Sequence, residues 1–153
     1  MVWLITIILM LDAFSKIIIM SNYMLEKEYP VIKNFFYISY VKNTGAAWSL
    51  FNNKKWLIIM VSAVVIMWII LYILKNKPAT KIEKIAYSFI LGGALGNFIG
   101  RVIYGYVVDF ISIKIFGYNY PVFNFADVFI VLGVFMLIIY TWRCSSGTKS
   151  NIK

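Results

Sequence analysis

"VWLITIILMLDAFSKIIIM", residues 2–20, is long and apolar enough to cross a bilayer as a helix, which takes about 20 residues, yet it carries Asp12 and Lys16 inside its apolar run. A secretory signal peptide would have a basic leading region and an uncharged apolar centre. This stretch has neither, so it reads as a retained membrane helix. Three further runs, 56–74, 84–104 and 122–142, are of similar length and character. Four spans fix the topology, because the N-terminus, the 75–83 loop and the C-terminal tail must then lie on one side. That side holds Lys75, Lys77, Lys81, Arg143, Lys149 and Lys153, with Lys84 at its edge, while 21–55 and 105–121 carry positive charge more sparsely. The positive-inside rule therefore predicts that both termini are cytoplasmic.

Composition supports the same reading. Of 153 residues 62% are hydrophobic and 14% charged, against about 25% charged in soluble domains, and the mean hydropathy is +0.83. A soluble fold this small could not hide so much apolar surface. The expectation is a single integral-membrane domain over 1–153, an all-α membrane protein of four transmembrane helices with a small extracytoplasmic β-element in the first outer loop. The net charge of +9 sits beside the spans and not in a soluble basic domain, which argues for topology and against nucleic acid. With no histidine there is no Ser-His-Asp triad, Cys-His pair or His-ligated zinc. One cysteine, Cys144, can form neither an intramolecular disulfide nor a dithiol centre.

Ionisable groups inside a span cost at least about 2–3 kcal/mol each and normally face the protein interior. Asp12 and Lys16, four apart, share one helix face and can pair, either as a structural ion pair or as part of a site. In "LGGALGNFIGR" (91–101), Gly92, Gly96 and Gly100 form a stripe that lets a neighbouring backbone approach closely. Gly93, Asn97 and Arg101 form the adjoining stripe. Arg101 either snorkels to headgroups or, with Asn97 one turn away, brackets a carboxylate or a substrate carbonyl. "NFFYISYVKNTGAAWSLF" (34–51) reads either as a β-element on the membrane surface or as an interfacial aromatic belt.

The stretch "VVDFISIKIFGYNYPVFNFADVF" (107–129) places Asp109 and Asp127 at the two ends of an apolar, aromatic segment, with Asn124 one turn before Asp127. The third helix ends before Asp109 and the fourth begins near Pro121, so both carboxylates are expected at the outer face. Two carboxylates held close share a proton, so one can take a proton from water while the other donates to a carbonyl oxygen. Such chemistry needs no histidine, cysteine, metal or cofactor. The aromatic residues between the aspartates are candidates for a flap, with Gly117 as its hinge.

On these residues the chain resembles the lipoprotein signal peptidases (signal peptidase II), an intramembrane aspartyl protease family. The resemblance runs from Asp12 to about Trp142 through "DAFSK" (12–16), "NTGAAWS" (43–49), "GGALGNFIGR" (92–101), "VVDF" (107–110) and "FNFAD" (123–127). It implies that Asp109 and Asp127 are the catalytic pair, and that Asp12, Lys16, Asn43, Gly45, Gly93, Asn97, Arg101, Asn124 and Ala126 line or support the site. It also implies an aspartic endopeptidase of the bacterial cytoplasmic membrane that acts as a monomer. The implied substrate is a diacylglyceryl-modified prolipoprotein cut before its lipidated cysteine, with membrane lipid as a partner and the cyclic peptide globomycin as an inhibitor. A β-like cradle from 21–55 on the outer surface is implied as well. Two departures are visible: Gly100 stands where the family usually has aspartate before the arginine, and the segment before the first span is short. The rival classes are a small transporter or channel subunit using the same carboxylates, and a structural assembly subunit.

Overall fold

The computed structural model describes residues 1–45 and 54–150, with side chains to Cys144. Positions 46–49 of "NTGAAWS" and 46–51 of the aromatic stretch lie outside the described residues. Among the described residues four helices are long and apolar enough to cross a membrane: α1 (Val2–Asn22), α2 (Lys55–Asn76), α3 (Lys81–Tyr104) and α4 (Phe125–Ser150), the last through its Phe125–Cys144 part. Four strands lie between them, β1 (Glu28–Ile32), β2 (Phe36–Asn43), β3 (Val107–Ile115) and β4 (Tyr118–Asn119).

Two helix starts differ from the sequence reading, each for a capping reason. Thr80 accepts from the Glu83 backbone N–H while the Glu83 carboxylate accepts from the Thr80 N–H, so α3 begins at Lys81 and not at 84. This reciprocal box satisfies two donors that would otherwise be left without partners at the helix end. Asn124 and Asp127 form the same kind of box at α4: the Asn124 side-chain oxygen accepts from the Asp127 N–H, and Asp127 Oδ2 accepts from the Asn124 N–H, both at 3.1 Å. The fourth helix therefore starts at Phe125 and not at 122.

Helix α3 is the hub, packed against α1, α2 and α4. Ile66 and Ile69 of α2 close on Leu91, with Ile5 of α1 at the edge. Gly92 is where Ile8 of α1 reaches closest, 2.9 Å from the position a Cβ would take. Gly93 faces α4, its Cβ position 2.3 Å from the Ala126 carbonyl oxygen, and Gly133 returns the contact, 2.6 Å from the Ala86 carbonyl oxygen. The two glycine stripes thus serve different neighbours.

The sheet is antiparallel, in the order β1-β2-β3-β4. Half of it comes from the 105–121 segment, which the sequence reading left as a connection. The alternation of Ile111, Ile113 and Ile115 with Ser112 and Lys114 suits a strand, but the segment becomes one only by pairing Val107 with Asn43 and Ile113 with Phe36. The sheet packs on the C-terminal end of α1, where Ile19 meets Tyr40, Val108 and Phe110. Gly117 lies in the two-residue turn of the β3–β4 hairpin, with φ +49° at Phe116 and +80° at Gly117. Positive φ at both positions matches the twist of the flanking strands.

Candidate active site

The two aspartates meet because the chain between them is folded back and clamped. Strand β3 leaves Asp109, turns at Phe116–Gly117 and returns so that Phe123 bridges Ile111, its N–H donating to the Ile111 oxygen at 3.0 Å and its oxygen accepting from the N–H groups of Phe110 and Ile111 at 2.9 and 2.7 Å. The residue after Phe123 is Asn124, the cap of α4, and Asp127 follows in the first turn. A strand and a helix start, eighteen positions apart in the chain (127 − 109), are thereby fixed side by side.

Asn124 links the two carboxyl groups. It has no solvent exposure, and its side-chain orientation is set by the cap: the oxygen accepts from the Asp127 N–H, so the amide NH₂ must point the other way. That NH₂ donates to Asp109 Oδ1 at 2.6 Å and to Asn97 Oδ1 at 3.1 Å. Asn97 is oriented by the same logic. Its oxygen also accepts from Lys16 Nζ at 3.0 Å, and because lysine has only donors, Asn97 Nδ2 is left for Asp127 Oδ1 at 2.8 Å. Both asparagines thus aim their donors at the dyad.

Lys16 in turn pairs with Asp12 Oδ2 at 2.6 Å, and Asp12 Oδ1 accepts from the Ala126 N–H at 3.2 Å, at the start of α4. The Asp12–Lys16 pair is therefore both an ion pair and part of the site's frame, so the two sequence alternatives are combined. Gly96 leaves room for it, since its Cβ position lies 2.5 Å from Asp12 Oδ2.

On the other side, Asn43 at the end of β2 donates from Nδ2 to Asp109 Oδ2 at 2.8 Å and accepts from the Gly45 N–H at 3.0 Å. The Gly45 oxygen accepts from Arg101 Nη2 at 3.1 Å. Arg101 Nε is buried and finds no partner among the described residues. Ten of the eleven site residues singled out from the sequence lie in this one hydrogen-bonded set, and the eleventh, Gly93, packs against the Ala126 carbonyl. The sequence reading left Gly96 in the packing stripe and passed over Gly133 and Phe123. Gly96 had a signal in its spacing of three from Gly93, and Gly133 in being a lone glycine within an apolar run. Phe123 acts through its backbone, which sequence does not display.

Burial pushes the Asp109 carboxyl up to about 7, and the charge of Asp127 adds to the effect. The hydrogen bonds from Asn43 and Asn124 and the charge of Lys16 pull it back. A carboxyl so poised exists in both protonation states near neutral pH, and with a second carboxyl beside it the pair can donate and accept a proton in one reaction.

Residues 4–143 match the family described as signal peptidase (SPase) II. The chain belongs to the signal peptidase II family. It is 37% identical over 136 residues to the lipoprotein signal peptidase of Anoxybacillus flavithermus, which covers 89% of this chain and 81% of that one. Two solved structures, each described as a bacterial membrane enzyme determined by the in meso method, superpose with TM-scores of 0.88 and 0.82 at 32% identity. They cover 95% and 92% of this chain and 89% and 90% of theirs. Membership in the signal peptidase II family makes the chain a protease, and the four apolar helices make it a multi-pass membrane protein. Among the described residues a Cβ at Gly100 would meet only the Tyr106 oxygen, at 3.4 Å. In this signal peptidase II chain Arg101 is held by the Gly45 carbonyl.

Proposed function

We propose that Asp109 and Asp127 are the catalytic pair of an aspartic endopeptidase that removes the signal peptide from diacylglyceryl-modified prolipoproteins, cutting before the lipidated cysteine. The observation that carries this reading is the single buried amide, Asn124, that holds both carboxyl groups, one through its side chain and the other through its backbone N–H. The substrate class follows from the family and from the name of the Anoxybacillus relative.

In the reaction the ionised carboxylate takes a proton from water as the water oxygen attacks the scissile carbonyl carbon. The protonated carboxyl donates to the carbonyl oxygen, giving a neutral tetrahedral diol. Collapse of the diol breaks the C–N bond, with the proton taken from water passing to the leaving amine, and a carboxyl recovers the hydroxyl proton. One proton is shared by the pair throughout, and no other nucleophile is required. Asn43 and Arg101 border the peptide's path, and Arg101 Nε is a buried donor for a substrate carbonyl. The charge distribution supports cytoplasmic termini, with the pair near the outer face and the substrate's acyl chains lying against apolar helix surfaces.

The test is a purified-protein assay on a diacylglyceryl-modified precursor. Wild-type chain releases the signal peptide and globomycin blocks the release, while Asp109→Asn and Asp127→Asn insert normally and do not cleave. Near-normal turnover by either variant would sink the dyad, and ion flux without cleavage would move the chain to the transporter class.

A further inference from the structure

Each of the six acidic side chains has a place in the fold, and two lysines beside the site are left without a counter-charge. Asp12 pairs with Lys16 and Glu28 with Lys114. Glu83 closes the capping box of α3, and Asp109 and Asp127 form the proposed pair. Glu26 is exposed in the turn before β1 and forms no ion pair among the described residues. The segments outside the described residues add no acidic side chain. Lys42 and Lys55 therefore have no carboxylate partner among the described residues.

Both lysines lie on one turn, the turn in which α3 ends and the strand bearing Asp109 begins. Gly105, at φ +85°, caps α3 with its N–H on the Arg101 oxygen at 3.0 Å, and Val107 opens β3. Lys55, the first residue of α2, is half-buried and folded along that turn, its ammonium 3.2 Å from the position a Cβ on Gly105 would take. Lys42 of β2 is matched across the sheet with Val108, and its ammonium lies 5.1 Å from the centroid of the Tyr106 ring. That ring packs on the cluster of Ile19, Tyr40, Val108 and Phe110, so the cation rests on a fixed aromatic face. The neighbours are residues of the site: Asn43 follows Lys42 in β2, and Arg101 stands one helical turn before Gly105.

The positive-inside rule disfavours lysine on the face proposed as the outer one. Cations kept there, at the start of β3, call for a counter-charge that the chain itself does not contain, and the substrate can bring it. In a membrane-anchored precursor the apolar segment before the cut lies in the bilayer, so the segment after the lipidated cysteine is the part that leaves across the outer face. We infer that Lys42 and Lys55 are specificity residues that bind acidic side chains in the few residues following the lipidated cysteine. The inference rests on the protease reading and deepens it. Lysine suits the role, because a compact charge on a flexible stem reads the sign of a side chain without demanding one geometry. The folded-back course of Lys55 over the turn favours a peptide passing the site over a lipid phosphate, which an outstretched side chain would meet.

The test uses three diacylglyceryl-modified precursors that are identical except for the two residues after the cysteine, which are Asp-Asp, Gln-Gln or Lys-Lys. With the full chain in phosphatidylcholine nanodiscs, the Asp-Asp precursor should have a KM about tenfold below that of Lys-Lys, the scale of two exposed ion pairs, with Gln-Gln between them and kcat alike. High salt should narrow the spread. With Lys42→Gln and Lys55→Gln together the three KM values should coincide. With Lys42→Glu and Lys55→Glu together their order should invert, a result that damage to the fold cannot produce. Equal KM values on the wild-type chain would overturn the inference and leave the protease reading standing, whereas cleavage of none of the precursors would overturn that reading and the inference with it. A KM that follows added phosphatidylglycerol and not precursor charge would overturn the inference in favour of a lipid headgroup site.

Discussion

Helices α2 and α3 lie side by side and invert the rule that the most apolar element is the most buried. Of the four spans α2 is the most apolar, yet only 17% of its spanning stretch is buried, while α3 is the least apolar and 44% buried. The buried positions of α3 are Ala86, Ser88, Leu91, three of its glycines around 92–96, Asn97 and Gly100, whereas those of α2 are all isoleucine. In lipid there is no hydrophobic drive to hide an apolar side chain, so α2 leaves valine, methionine and tryptophan facing outward at no cost. Polar groups have the opposite need, and α3 gathers them where other helices and the sheet supply partners. The interior of this bundle is accordingly its polar part.

That contrast can be broken most sharply at the carboxylates α3 helps to hold. Asp109→Asn or Asp127→Asn should lower cleavage of a lipidated precursor on the order of 10³-fold or more, because the asparagine can neither take nor give the proton. Unchanged detergent-solubilised melting of the same variants would show that the loss is chemical. Next in size is Gly93→Ala. The added carbon has no room beside the Ala126 carbonyl, and forcing α3 from α4 should cost about 1–3 kcal/mol, read as a lower melting temperature together with reduced cleavage. By contrast Val64→Leu on the exposed flank of α2 should change neither measurement, within about 0.5 kcal/mol.

Two smaller effects sharpen the comparison. Cleavage should fall as pH rises through about 7, as Asp109 loses the pair's proton. Asn43 donates to the ionised form of Asp109 and so lowers its pKa. Removing that bond in Asn43→Ala lets the carboxyl hold its proton longer, and the alkaline limb of the pH–rate profile should move to higher pH. A limb that stays in place or moves down would separate Asn43 from Asp109. Thr80→Ala should cost about 1 kcal/mol of stability by removing the α3 cap, at the end of the helix remote from the dyad, with the cleavage rate of the folded protein unchanged.

Much of this was legible before any coordinates. The apolar runs identified four spans, and Asp12 and Lys16 inside the first of them showed that it has an interior face. Glycine spacing marked α3 as a close-packed helix, and the motifs named every side chain of the connected polar set. Hydropathy alone placed the start of α1 and the end of α3, while capping chemistry was needed for two other limits: Thr80 with Glu83, and Asn124 with Asp127, move two helix starts by three residues each. Gly117 illustrates the limit from the other side. A hinge and a tight turn ask for the same residue, and only its place between paired strands distinguishes them.

By itself the sequence determined the class of molecule and its inventory of chemistry. Long apolar runs are legible because each helix satisfies its own backbone within one segment, and the lack of histidine is a fact of composition. Only the tertiary structure decided that 105–121 is half of a sheet, that Phe123 clamps the returning chain to Ile111, and that one asparagine holds both aspartates. Those features rest on hydrogen bonds between segments far apart in the chain. Their partners are chosen by how the bundle and sheet pack, which no local pattern of residues records.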